Sequence, residues 1–178
     1  MICINHYESP LGTLLLTGDK EGLTGLRFTE GGRSAGLVPD TDAVPCETDY
    51  FDQTKQWLDI YFSGRDPGFF PSIHLVGSPF RNRVGEILCE IPYGKTVTYG
   101  WIADRLAKEC GLRRMSAQAV GGAVGHNPVG IIVPCHRVVG ANGSLTGYGG
   151  GILRKKALLE LEGVDLSRFT IPKKGTAL

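Results

Sequence analysis

Short alternating runs open the chain. Between Tyr7 and Phe28, the stretches Gly12-Thr-Leu-Leu-Leu-Thr17 and Leu23-Thr-Gly-Leu-Arg-Phe28 flank the turn cluster Gly18-Asp-Lys-Glu-Gly22, a pattern that predicts a β-hairpin. Residues 29–46, with Gly31-Gly32, Pro39 and Pro45, read as a surface loop. The period then lengthens. From Asp49 to Phe62 the apolar positions Tyr50, Phe51, Trp57, Leu58, Tyr61 and Phe62 fall at helical spacings, and Ser63-Gly64 supplies a stop, so an amphipathic helix is expected. Residues 66–79 are rich in Pro and Gly and read as a linker.

Beyond the linker, Ser78-Pro79 reads as an N-cap followed by Pro at the first helical position, with Val84, Ile87, Leu88 and Ile91 on one face. Thr98 to Ala107 predicts a short helix, Gly111 a break, and Ser116 to Val124 a second short helix of small residues. Two such helices around a Gly-containing turn form a helix-turn-helix pattern. The small face of Ala119, Gly121, Gly122, Ala123 and Gly125 admits close approach of either a neighbouring helix or a narrow groove. Val129-Gly-Ile-Ile-Val133 reads as a buried strand, and Gly151 to Gly163 as a closing helix.

Composition adds bounds. The chain has 178 residues, 42% hydrophobic and 21% charged, which places it among ordinary globular proteins long enough to bury a core. Glycine, 26 residues, is roughly twice its usual share and points to tight turns and close backbone approaches. No apolar run is long enough for a membrane span, and Met1-Ile-Cys-Ile-Asn-His6 has no leader character, so a cytoplasmic location is expected. Cys3, Cys46, Cys89, Cys110 and Cys135 are odd in number and scattered, which supports neither a disulfide framework nor a zinc ribbon and leaves at least one thiol free. The net charge of +1 hides a split: residues 1–79 hold 5 Lys+Arg and 11 Asp+Glu, residues 80–178 hold 14 and 7. A basic half of this kind is the footprint of a polyanion binder, reinforced by Arg113 and Arg114 ahead of a helix N-terminus.

The chemical centre is Pro134-Cys135-His136-Arg137-Val138. A thiol beside His and Arg sits in a positive environment that favours thiolate, the nucleophilic form. Neighbours in an extended chain point to opposite faces, so His136 reaches Cys135 only through a water or a sharp bend. Such a His needs an orienting acceptor, and the closing helix offers Glu160 and Glu162. A carboxylate at a helix C-terminus opposes the macrodipole, which singles out Glu162 as a residue in need of a partner.

These residues carry a resemblance. Pro134 to Val138, preceded by Asn127-Pro128 and followed by Gly147-Tyr-Gly-Gly150 and the helix from Arg154 to Gly163, resembles the methylated-DNA–protein-cysteine methyltransferase family. Ile91-Pro-Tyr-Gly-Lys-Thr-Val-Thr-Tyr99, Ala119-Val-Gly121 and Ser9-Pro-Leu-Gly12 match it as well. The resemblance implies an α+β chain, with a ribonuclease-H-like N-terminal α/β domain (1–77), a winged-helix-like alkyltransferase domain (78–164) and a flexible tail (165–178). It implies direct repair of duplex DNA without a cofactor. The alkyl group of O6-alkylguanine, and of O4-alkylthymine, moves once and irreversibly to a protein cysteine after the nucleotide is flipped from the stack. A monomer is expected.

Carried over residue by residue, Cys135 is the nucleophile, His136 the water-mediated base and Glu162 its orienting group. Tyr99, Val138, Tyr148 and Gly149 surround the guanine. Tyr99 also crowds the rotating phosphate, the carbonyls of Cys135 and Val138 take the exocyclic amine, and the Gly149 N–H binds the O6 oxygen. Thr98, Arg113, Ser116, Ala117, Gln118 and Gly121 face DNA, and Asn127 links the recognition helix to the active-site segment. Gln118 stands where the family usually has an intercalating Arg, and Gln lacks the charge and planar fork of that side chain. Weaker base extrusion is therefore expected. The zinc pattern of some relatives is not matched by Cys3, His6, Cys46 and His74. The run Gly149-Gly150-Gly151 predicts a roomy pocket wall. Two other classes, a non-catalytic damage sensor and a thiol hydrolase, fit less well: the first has no use for the thiol, the second none for a basic helix-turn-helix.

Overall fold

The computed structural model describes residues 1–31 and 42–172. The middle of the expected loop and the end of the expected tail lie outside these residues. β1 (Ile2–Ser9), β2 (Gly12–Gly18), β3 (Leu23–Phe28) and β4 (Ala43–Pro45) form one sheet in the order β3-β2-β1-β4. The predicted hairpin is β2 and β3, paired antiparallel with Leu16 opposite Leu26. Its register extends to β1, which pairs with β2 from Cys3–Gly18 to Ser9–Gly12. Sequence reading misses β1 because its polar positions, Asn5, His6 and Glu8, break the apolar run.

The expected loop also contains β4, parallel to β1 with Ile4 opposite Pro45. Cys46 follows directly after β4 and is bonded through sulfur to Cys3 of β1, with Cα atoms 5.3 Å apart. The expectation of scattered thiols is corrected at this one pair. Cys89, Cys110 and Cys135 are free.

Helix α1 (Asp49–Phe62) has the predicted bounds. Thr48 caps it by accepting from the Phe51 N–H, and Phe51, Trp57, Leu58 and Tyr61 form its buried face. In the second half, α2 (Pro79–Cys89) is capped by Ser78, α3 (Tyr99–Glu109) by Thr98 and α4 (Ala117–Gly125) by Ser116. Two-residue strands β5 (Val97–Thr98) and β6 (Val138–Val139) pair in parallel and hold the entry to α3 against the Cys135 segment. Helix α5 (Ile152–Leu161) closes the fold.

Val129–Val133 is buried, as expected, but it is not a strand. A single bridge from Val129 to Leu26, made by the Leu26 N–H to the Pro128 carbonyl and the Gly130 N–H to the Leu26 carbonyl (both 2.9 Å), docks it on the free edge of β3. Ile131 then adopts φ 68°, a left-handed conformation costly for a β-branched residue, four positions before Cys135. The linker closes the same edge through Leu23 N–H to Ser72 O (2.9 Å) and His74 N–H to Leu23 O (2.8 Å). One apolar core runs through both halves, from Leu14, Leu16, Phe51 and Tyr61 to Ile102, Val120, Val133 and Leu158. Among the described residues, no helix is long and apolar enough to cross a membrane.

Candidate active site

Cys135, His136 and Arg137 form a single 3-10 turn, the sharp bend that an extended segment lacks. The turn separates the three side chains. Cys135 lines a cavity of about 40 Å³ together with Asn127, Tyr148, Gly149 and Gly150, and with Leu14, Leu26 and Phe28 from the N-terminal sheet. The His136 ring turns into the core and is fully buried. Its Nε2 lies 2.6 Å from Glu162 Oε1, whereas Nδ1 is buried and meets no hydrogen-bond partner among the described residues.

Glu162 is the C-cap of α5 and has the partners its position demands. Arg137 Nε donates to Oε2 at 2.9 Å and Nη2 to Oε1 at 3.1 Å, the Gly94 N–H donates to Oε2 at 3.0 Å, and the Tyr61 hydroxyl donates to Oε1 at 2.7 Å. Gly94 is possible here because φ is +72° and a Cβ would stand 2.9 Å from the Glu162 carbonyl. Burial pushes the Glu162 carboxyl up, but the hydrogen bonds and charges of His136 and Arg137 outweigh it and bring it down to about 2. An ionised Glu162 accepts only, so Nε2 carries the imidazole proton and Nδ1 presents a lone pair. Burial also holds His136 below its ordinary value, against the pull of Glu162, so the ring is a neutral base.

Cys135 departs from expectation. Burial raises its thiol above the ordinary value, opposed in part by the Asn127 side chain and the charge of Lys155. The positive neighbour counted on in the sequence, Arg137, is spent on Glu162 and on the Ile91 carbonyl at 2.6 Å. The resting thiol is therefore protonated and requires a base. Asn127 Nδ2 donates to the Val133 carbonyl at 2.7 Å and its Oδ1 accepts from the Val129 N–H at 3.1 Å, which ties the end of α4 to the Cys135 turn.

Around the cavity, Tyr148 is buried and its ring meets that of His136 edge-on. A Cβ on Gly150 would stand 2.6 Å from the Tyr148 ring and 3.1 Å from Phe28, so the glycine run is filled at this point instead of forming an open wall. Tyr99 and Val138 do not line the cavity. The Tyr99 hydroxyl donates to the Thr146 carbonyl at 3.1 Å, and burial keeps it protonated. Lys155, fully buried, donates to that same carbonyl and to Val138 O, and burial lowers its ammonium to about 8.

On the surface, Arg113, Arg114, Ser116, Ala117 and Gln118 are exposed along the approach to α4 and its first turn. Thr98 and Ser116 act as helix caps. A Cβ on Gly121 would stand 3.8 Å from the Tyr99 ring, an ordinary contact, whereas Gly122 and Gly125 face open space. The sequence reading misses Tyr61, Gly94 and Lys155 as site residues. Gly94 and Lys155 lie within matched segments, whereas Tyr61 carried no signal.

Residues 79–164 match the family described as 6-O-methylguanine DNA methyltransferase, DNA binding domain, and residues 2–69 match its ribonuclease-like domain. The methylated-DNA–protein-cysteine methyltransferase of Mycobacterium tuberculosis is 45% identical over 165 residues, covering 91% of this chain and 93% of its own. That of Methanosarcina acetivorans is 42% identical over 157 residues, covering 88% and 96%. Among solved structures, the O6-methylguanine methyltransferase of Mycobacterium tuberculosis superposes with a TM-score of 0.76 at 42% identity, covering 98% of this chain and 97% of that one. The Mycobacterium tuberculosis OGT in complex with DNA gives 0.74 at 43% identity, covering 94% of each.

Proposed function

The chain belongs to the methylated-DNA–protein-cysteine methyltransferase family, and on that premise we propose which lesion it acts on and how its residues act. It is a DNA-repair enzyme that reverses alkylation directly, by transferring the alkyl group to a cysteine of its own. We assign residues 1–77 to the ribonuclease-like unit and 78–164 to the DNA-binding unit, on the strength of the matched ranges. A single chain meets one O6-alkylguanine in duplex DNA, and O4-alkylthymine is a second substrate.

The observation that carries the mechanism is the two-sided state of His136: Nε2–H is fixed by Glu162, and Nδ1 is left as a buried lone pair one residue from Cys135. Helix α4 enters the minor groove with its bare face, Gln118 fills the stack, and the damaged nucleotide rotates out of the duplex toward the Cys135 thiol. Cys135 Sγ and His136 Nδ1 do not hydrogen-bond directly, so a bridging water carries the thiol proton to Nδ1. The imidazolium that forms is stabilised by Glu162.

Sγ then attacks the alkyl carbon. The S–C bond forms as the C–O6 bond breaks, and the electron pair passes to the guanine oxygen. The Gly149 N–H and the Tyr99 hydroxyl stabilise that developing charge. The carbonyls of Cys135 and Val138 accept from the exocyclic amine, and a carbonyl has a lone pair to spare beside Lys155. No cofactor enters. The product is an inert thioether, so each chain reacts once.

The test is a duplex carrying O6-[methyl-14C]guanine, incubated with wild type and with Cys135→Ser. Label should move to wild type at one per chain and not to the variant, while both bind the duplex alike. Label on the variant would place the acceptor elsewhere.

A further inference from the structure

We propose that Tyr61, which belongs to the ribonuclease-like half, is a positioning residue of the alkyl-transfer site, holding the Glu162 carboxylate in the orientation that sets His136 as the base. The N-terminal half is then part of the reaction machinery. The inference rests on the role given to His136 above.

The Tyr61 side chain reaches the site from α1, the buried face of which is built by Phe51, Trp57 and Leu58. Its ring stacks on Trp57 at 5.0 Å and meets Tyr93 and Phe62 edge-on, so it has no freedom to leave. The hydroxyl is buried with it and makes two contacts, both in the relay: it donates to Glu162 Oε1 at 2.7 Å and lies 3.3 Å from His136 Nε2. Oε1 is also the oxygen that accepts from His136. Burial and the Glu162 charge keep the phenol protonated, so it is a permanent donor.

Two consequences follow from this sharing. First, Oε1 is pinned by a donor from α1, which fixes the plane of the carboxylate and through it the tautomer of His136. Second, a donor on Oε1 draws negative charge away from the bond to Nε2 and restrains the basicity of the ring. The other charged or titratable groups facing His136 are Arg137 and Cys135 on its own turn, Glu162 and Lys155 from α5 and its end, and Tyr148 from the glycine-rich loop. Of these, only Glu162 is hydrogen-bonded to the Tyr61 hydroxyl, so removing that hydroxyl acts through this carboxylate.

Tyr61→Phe keeps the stacked ring and deletes only the donor. With Oε1 released, Glu162 favours the imidazolium more strongly, so His136 titrates at higher pH. The acidic limb of the transfer-rate profile moves with it: on that limb the single-turnover rate falls about tenfold for each pH unit of displacement. Above the limb it stays within about threefold, and duplex affinity within about twofold. A purely structural role lowers the rate evenly at every pH. A second variant, 3-fluorotyrosine at position 61, preserves shape and makes a stronger donor, and it shifts the limb the opposite way.

The readouts are the His136 ring titration by NMR and the pH profile of methyl transfer from an O6-methylguanine duplex. Opposite shifts for the two variants support the proposal. A titration unmoved in either variant, or a rate loss independent of pH, overturns it. Should wild type transfer no alkyl group, the reaction itself is misassigned, and the NMR comparison still decides whether Tyr61 governs His136.

Discussion

Glu162 stands where the end of α5 already concentrates negative charge, yet it is buried and ionised. Donors from four residues, Tyr61, Gly94, His136 and Arg137, make that placement stable. Glu162→Gln leaves Arg137 without its charged partner, and a loss on the order of 3 kcal/mol is expected for breaking a buried pair. The folded carboxyl titrates below its ordinary value of 4.5, so its contribution is complete above that pH and is lost as pH falls toward about 2. Urea unfolding of wild type and Glu162→Gln should therefore show a stability gap at pH 6 that narrows steadily below pH 4.5. A gap independent of pH contradicts the assignment. Gln118 is exposed in the first turn of α4, where the proposed reading makes it a weaker wedge than Arg. Gln118→Arg should speed alkyl transfer and tighten duplex binding several-fold, and unchanged values would show that Gln extrudes the base as well as Arg.

Helix α4 shows what an element built of small residues is for. A Cβ on Gly121 would only touch the Tyr99 ring, and Gly122 faces open space, so packing demands neither glycine. Gly122→Ala adds helix propensity, so it should raise stability by about 1 kcal/mol while weakening duplex affinity, because its methyl projects from the face that enters the groove. Equal affinity would mean that α4 does not seat there. The helices are the legible elements: α1 through α5 follow from apolar spacing, from breaks such as Gly111, and from the Ser78 cap, while the caps Thr98 and Ser116 emerge only in the structure. β4 is hidden because a three-residue strand between prolines has no periodicity of its own and exists only by pairing with β1. Val129–Val133 misleads in the other sense. Its apolar run signals burial correctly, but a run of five cannot by itself establish a strand, and the left-handed Ile131 that follows the Leu26 bridge leaves no trace in the pattern. In the site, Cys135, His136 and Glu162 can be read from their motif and from the uncomfortable position of the carboxylate. Tyr61 cannot, since in sequence it is one more apolar position of α1.

Across the whole molecule the halves differ in charge but not in core. Arg154 of α5 reaches back to Leu11 O at 2.9 Å and to Glu30 O at 2.6 Å, and its guanidinium lies over Phe28 at 4.1 Å. Together with the Leu26 bridge, these contacts predict one cooperative unfolding transition. In Trp101→Phe, fluorescence of the buried Trp57 should change at the same denaturant midpoint as the far-UV helix signal, and separated midpoints would contradict a shared core. The basic half supplies the surface for a polyanion and the acidic half supplies Tyr61 and part of the cavity wall, so the reaction belongs to the full chain. The most direct measurement is the mass of the intact protein, and then of the peptide spanning Cys135, after incubation with excess duplex carrying one O6-methylguanine. The account predicts one added methylene per chain, located on Cys135 and not exceeding one at any DNA excess. An unchanged mass with the lesion still bound would contradict it and leave a damage sensor.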